Sequence, residues 1–188
     1  MAAKRVSAVF LAAALAVIAA FGVSVLEPQE AEATLVGVTT CHGGTITLNA
    51  EEKRVLDLHN RARKKRGLKR LCVNPILTQA ARTHTQEMLA KDYFSHNSFN
   101  GESSQERLER FGYTSDGYSY CAYGENIAWG CGSYGAPDSI FRWWMYSSGH
   151  RSNILKKSFR EVGIGVLTGT YRTCNQATMY TVNFGTRR

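Results

Sequence analysis

The 188-residue chain is long enough for one domain with a substantial core and too short for two ordinary ones. Its 23 Lys and Arg against 15 Asp and Glu give a formal charge of +8, which favours anionic partners over cationic ones. Five cysteines without a C-x-x-C pair argue against a thiolate metal site.

The N-terminus has the pattern of a secretory leader. Lys4 and Arg5 precede an uncharged apolar run, Val6 to Leu26, and Ala31-Glu32-Ala33 supplies an A-x-A cleavage pattern. The 21 residues of that run would also span a bilayer as an uncleaved anchor. The cleavage pattern favours export: residues 1–33 form a signal peptide, and the product is secreted, extracellular and without a mature transmembrane segment. Cleavage removes Lys4, Arg5 and three glutamates, leaving 21 basic against 12 acidic residues, a net charge of +9. Exported cysteines pair, and Cys41, Cys72, Cys121, Cys131 and Cys174 leave one over. Cys72, just ahead of a helix start, is expected to be the buried unpaired thiol. Cys121 with Cys131, flanking Glu125, is the first bridge expected.

Residues 34–48 form a Thr- and Gly-rich lead-in with no helical period, and 49–188 the domain proper. Asn49 with Glu52 makes a capping box, Val55, Leu58 and Ala62 follow at helical spacing, and Gly67 fits the stop. Asn74 and Pro75 start a second helix whose Leu77, Ala81, His84 and Met88 share one face. His84 on that face is expected to be a satisfied core or boundary histidine. Ser103 and Glu106 cap a short third helix ending at Gly112. Residues 112–135 are rich in Gly, Tyr and Ser and look like a long loop holding one apolar stretch, Asn126 to Trp129. A fourth helix opens at Pro137, buries Ile140, Phe141 and Trp144, and ends at Gly149. Val162, Ile164 and Val166 alternate as a strand, as do Tyr180, Val182 and Phe184, with a turn near Gly169. Helices followed by terminal strands indicate an α+β fold. Trp129, Trp143, Trp144 and Tyr113 are expected in the core or lining a cavity.

Five segments carry a resemblance to a known family: Leu58-His59-Asn60-x-x-Arg63, Phe94-Ser95-His96, Tyr123-Gly124-Glu125-Asn126-Ile127-Ala128, Gly149-His150-Arg151-Ser152-Asn153-Ile154-Leu155, and Val162-Gly163-Ile164-Gly165-Val166 with the closing Val182-Asn183-Phe184-Gly185. Their order and spacing resemble the CAP superfamily (cysteine-rich secretory, antigen 5 and pathogenesis-related 1 proteins; the SCP domain), in its short bacterial form. The resemblance implies a single-domain, three-layer α-β-α sandwich. It also implies a shallow cavity lined by two His and two acids. His96 matches the first His, Glu125 one acid and His150 the second His. The other acid should stand three residues after Trp144, where this chain has Ser147.

Two imidazoles and a carboxylate in one cleft could bind a divalent metal such as zinc through His96 and His150, or work as general acid and base. Alternatively, Glu125 and His150 pin loops by hydrogen bonds while His96 is exposed; two histidines 54 positions apart are poor ligand evidence by spacing alone. No G-x-S-x-G elbow or H-E-x-x-H helix is present. Ser147 and Ser148 lie close to His150, but adjacency is not a triad. The leading expectation is a non-enzymatic binding protein for a lipid, peptide or cell-wall component, requiring no cofactor. A His/Glu-based or metal-dependent hydrolase is the alternative. A third is an envelope structural or adhesion role through the basic run Arg61, Arg63, Lys64, Lys65, Arg66, Lys69 and Arg70, which would attract anionic surfaces. Export and the lack of a recognition motif argue against nucleic acid as the partner.

Overall fold

The computed structural model describes residues 34–188; the expected leader and its cleavage pattern lie outside the described residues. Val36–Thr39 (β1) and Thr45–Leu48 (β2) pair antiparallel, so the lead-in is a hairpin, and Leu48 at its end is fully buried. Helix α1, Ala50–Lys64, starts at the expected capping box: Asn49 Oδ1 accepts from Glu52 N (2.8 Å), and Glu52 Oε2 accepts from Asn49 N (3.1 Å). It ends three residues before Gly67, whose φ of +65° makes the turn into β3, Cys72–Val73. Helix α2, Pro75–Ala90, and α3, Ser104–Arg110, begin at Asn74 and Ser103 as their caps require.

Strand β4 is Cys121–Cys131, where a loop was expected. The Gly, Tyr and Ser content of this segment suggested turns, but the glycines serve close packing. A Cβ on Gly130 would come within 2.6 Å of the Tyr134 carbonyl carbon and 2.7 Å of Gly135 N. A 3-10 turn, Gly132–Gly135, leads to α4, Pro137–Tyr146. Gly149 does not end this helix. Ser147 breaks it with an extended backbone (φ −77°, ψ 124°), and α5, Ser148–Leu155, runs through Gly149. Strands β5, Glu161–Tyr171, and β6, Cys174–Arg187, pair over almost their whole length, so the turn falls at Arg172, not Gly169.

The sheet order is β3-β5-β6-β4, with β4 antiparallel to β6 and at the edge. One face carries α2; the other carries α1, α4 and α5, which completes the three layers of an α+β sandwich. The alternation of β5 explains both contacts. Val162, Ile164 and Val166 point into a core shared with Val55, Leu56, Trp144, Phe159, Tyr180 and Phe184. Gly163 and Gly165 face α2. A Cβ on Gly165 would lie 2.6 Å from the Ala81 carbonyl carbon, and one on Gly163 would overlap the backbone of Leu77. Helix α2 therefore rests on bare strand.

Both cysteine expectations are overturned. The bridges are Cys41–Cys72 and Cys131–Cys174, and Cys121 is free. Cys121 and Cys131 stand at opposite ends of an eleven-residue strand, about 33 Å apart at ~3.3 Å per residue, far beyond disulfide reach. The hairpin instead docks on β3, with Cys41 N donating to Val73 O (2.8 Å), which brings Cys41 onto Cys72. The antiparallel pairing of β4 with β6 sets Cys131 beside the start of β6 and Cys174.

Candidate functional site

Glu125 sits mid-way along β4, opposite Asn183 of β6, and points to the α2 face of the sheet. Its side chain is nearly inaccessible, and a buried carboxylate needs donors. Arg107 of α3, equally buried, gives one at 2.6 Å to Oε2. His96 Nδ1 lies 2.8 Å from Oε1. With its amide nitrogen turned to the carboxylate, Asn183 adds a donor at 3.0 Å. Because a carboxylate accepts only, His96 Nδ1 carries a proton, and Nε2 faces away from Glu125.

The loop that carries His96 is held from below. Arg107 donates to His96 O (3.2 Å) and Ser98 Oγ (2.9 Å). His84, buried on α2 as expected, reaches Ser95 O through Nε2 (2.9 Å). Burial, helped by the Arg107 charge, pushes the His84 pKa down and keeps the ring neutral. The His96 side chain itself is 55% exposed.

His150 comes from the other face, on α5. Asn126 and Asn153 bind that helix to β4: Asn126 Nδ2 donates to His150 O (3.0 Å), and Asn153 Nδ2 donates to Asn126 Oδ1 (2.9 Å) and Glu125 O (3.2 Å). His150 Nδ1 lies 2.8 Å from Ser147 Oγ, so serine occupies the place where the resemblance asks for an acid, and it anchors the ring. Partial burial and then the proximity of His96 lower the His150 pKa. The structure thus assembles two anchored pairs, His96 on Glu125 and His150 on Ser147, close enough for the His96 charge to bear on the His150 ring.

Other quoted residues turn out to hold the fold. In Leu58-His59-Asn60-x-x-Arg63, His59 is fully buried and Asn60 exchanges two bonds with the Leu71 backbone (3.0 and 2.7 Å). Arg63 belongs to no basic surface: buried, it donates to the carbonyls of Lys69, Ile154, Lys156 and Phe159, and burial lowers its pKa to about 10. Arg61, Lys64, Lys65, Arg66, Lys69 and Arg70 remain exposed. Trp144 and Tyr113 are buried and Trp129 half-buried, but Trp143 points outward.

Sequence reasoning missed Arg107. Its only signal was an arginine inside a short capped helix, at the spacing that would face it inward beside Leu108. Asn183 stood in a quoted motif, yet its partner, Glu125, lies on another strand and only the register joins them.

The family comparison agrees with this architecture. The model of the CAP, Cysteine-rich secretory protein, family matches residues 56–184. YkwD of Bacillus subtilis (strain 168), described as an uncharacterised protein, is 37% identical over 137 residues, which is 73% of this chain and 50% of that protein. The membrane protein YlbC of the same organism is 34% identical over 61% of this chain and 31% of its own length. The chain therefore spans half or less of the length of these curated relatives. Among solved structures, an extracellular protein with an SCP domain from Bacillus anthracis (Ames) superposes with a TM-score of 0.55 at 28% identity, covering 71% of this chain and 39% of that one. An outer surface protein of Borrelia burgdorferi reaches a TM-score of 0.61 at 17% identity, over 82% of this chain and all of the other, a likeness of fold alone. Among the described residues, no helix is long and apolar enough to cross a membrane. With a family match across most of the folded residues and the expected layers and strands in place, this chain belongs to the CAP, or cysteine-rich secretory protein, family.

Proposed function

We propose that this chain is a secreted, non-enzymatic binding protein that holds a lipid, peptide or cell-wall component between His96 and His150. The observation that carries the reading is the engagement of both Glu125 oxygens. Its oxygens accept from Arg107, His96 and Asn183, so the carboxylate orients an imidazole and is not free to act as a base. Nε2 of His96 and the corresponding atom of His150 are the groups left to meet a ligand. Secretion is supported by Ala31-Glu32-Ala33 behind the apolar run, and by the likeness to an extracellular protein of Bacillus anthracis.

A hydrolase has less support. Ser147 Oγ and His150 Nδ1 are at the distance of a nucleophile and its base. The contact is local, however, between residues three apart, and no carboxylate orients the His150 ring among the described residues. Zinc is the second reading, favoured by the two anchored rings. A metal-binding His commonly gives its other ring N–H to a carboxylate, as His96 does to Glu125. His96 and His150 would be the protein ligands, with Glu125 behind them. No group of three or more His, Cys, Asp or Glu poised for a metal occurs among the described residues. The site would therefore be weak and open, and zinc there would serve to hold a ligand's anionic group.

Imidazole NMR tests the binding reading. Phosphatidylglycerol vesicles, a polyglutamate peptide and a solubilised wall polymer are added in turn. The reading predicts that one of them shifts the His96 and His150 resonances reversibly and is recovered unchanged. Conversion of any probe to product, or a fluorophosphonate adduct on Ser147, would contradict it, as would no shift with all three.

A further inference from the structure

We propose that the outward face of α4 is a second binding site, apart from the His96–Glu125–His150 cluster, which takes an anionic glycan by stacking sugar rings on Trp143, Tyr146 and Tyr134 and pairing its negative groups with Arg142. Helix α4 buries Ile140 and Trp144 and half-buries Phe141 and Met145. Ser139, Arg142, Trp143 and Tyr146 follow the i, i+3, i+4, i+7 spacing of a single stripe on the opposite side. An amphipathic helix ordinarily gives that stripe to charged and small polar residues. Here Trp143 is 66% and Tyr146 75% exposed, and Tyr134 of the preceding 3-10 turn is 72% exposed. Three large rings held in water on one face mark an interaction site.

The shape and chemistry of the groove select the ligand. Tyr134, Ser139, Arg142, Trp143 and Tyr146 line a groove of about 240 Å³. None of these five is aliphatic; the aliphatic side chains near this face, Leu58 and Met145, line a separate groove on the other side of Arg142 and Tyr146. Each ring joins a flat apolar face to a polar atom, a phenol O–H or an indole N–H. A sugar ring has the complementary surface, a C–H face with hydroxyls around its edge. A concave, aromatic-lined site with a few polar groups is the usual form of a small-ligand pocket.

The charge follows from the neighbours. Asp138 on the same helix is taken by Arg54 of α1, at 2.5 and 2.8 Å. The charges of Arg61 and Arg142 also bear on that one carboxylate, although only Arg54 pairs with it. Arg142 has no carboxylate partner of its own among the described ion pairs. The surplus faces the rim of the groove and favours a sugar carrying a carboxylate or phosphate.

Calorimetry with alginate oligomers, an anionic sugar without acyl chains, tests the proposal against dextran, polyphosphate and phosphatidylglycerol vesicles. Alginate should bind more tightly than the other three and change the tryptophan fluorescence. Trp143→Ala should weaken it about tenfold or more, and Trp143→Phe should restore much of the loss. Arg142→Ala should weaken it more than Arg172→Ala, which removes an equal charge at the β5–β6 turn. Circular dichroism should show every variant folded, since these side chains are exposed. Equal binding of alginate and polyphosphate with no effect of Trp143→Ala would reduce the site to plain charge and overturn the proposal. Tighter, Trp143-dependent binding of vesicles would overturn it too, by making the face a membrane contact.

Discussion

The two faces of the central sheet are made from alternate residues of the same strands, and they are built on different principles. Toward α1, α4 and α5 the strands present Val162, Ile164, Tyr180, Val182 and Phe184, and stability there comes from large apolar side chains closely packed. Toward α2 they present Gly163, Gly165, Thr181, Asn183 and Glu125. Here the helix backbone meets the strand backbone at Gly163 and Gly165, and buried polar groups stand beside a smaller apolar cluster of Met88, Ile127 and Met179. The first face carries the larger apolar core. The second gives up some apolar packing to keep a charged pair and its hydrogen bonds inside the molecule, and His96 of the candidate site is mounted on that pair.

The comparison can be broken most severely at Arg107. Arg107→Met leaves Glu125 buried without its strongest donor, and the loss expected is about 3–5 kcal/mol. Pairing it with Glu125→Leu removes the orphaned charge and should recover most of that stability while releasing His96. Urea unfolding of both variants checks this, and equal destabilisation by the single and double variants would deny that the pair acts as a unit.

Acid probes the apolar face. His59 lies against Phe141, Trp144 and Phe184, its Nε2 has no partner, and burial lowers its pKa to about 4. Above about pH 6.5 the ring is neutral both folded and unfolded, and its share of stability is intact. Between pH 6.5 and 4 the unfolded chain takes up a proton that the folded one refuses. Stability therefore falls as pH falls, by about 3 kcal/mol at one pKa unit per ~1.4 kcal/mol. His84 pulls the same way. Unfolding curves at pH 7.5 and 4.5 should show the loss, and His59→Leu should flatten it. An unchanged pH dependence in that variant would place the acid sensitivity elsewhere.

Gly163→Ala tests the close approach of α2. Its methyl would overlap the Leu77 backbone, which cannot move aside as a side chain could, so a cost of about 1–3 kcal/mol is expected in thermal melts. The smallest effect should come from Trp143→Ala. Although it removes the largest kind of side chain, the residue packs on little, and a change within about 0.5 kcal/mol is expected.

What could be read in the sequence follows the same division. Caps and hydrophobic alternation are local, so Asn49, Asn74 and Ser103 and both terminal strands were legible, as was the family likeness carried by short motifs. Strand β4 was obscured because Gly124 and Gly130 look like turn residues, while their purpose is room for Asn153 and for the 3-10 turn. The bridges depended on strand register and on the docking of the hairpin, which spacing between cysteines does not encode. His96, Glu125 and His150 could be named from motifs. Their support could not, since Arg107 and Asn183 reach Glu125 only through the tertiary fold.

The central claim is that Glu125 positions His96 to bind through Nε2. Long-range proton–nitrogen NMR of the imidazoles at pH 7.5, before and after zinc chloride, tests it most directly. The account predicts a His96 ring protonated on Nδ1 with bare Nε2, whose resonance moves with zinc. It also predicts an inverted tautomer in Glu125→Gln, where an amide N–H would face Nδ1. A wild-type ring protonated on Nε2, or a tautomer indifferent to Glu125→Gln, would contradict it.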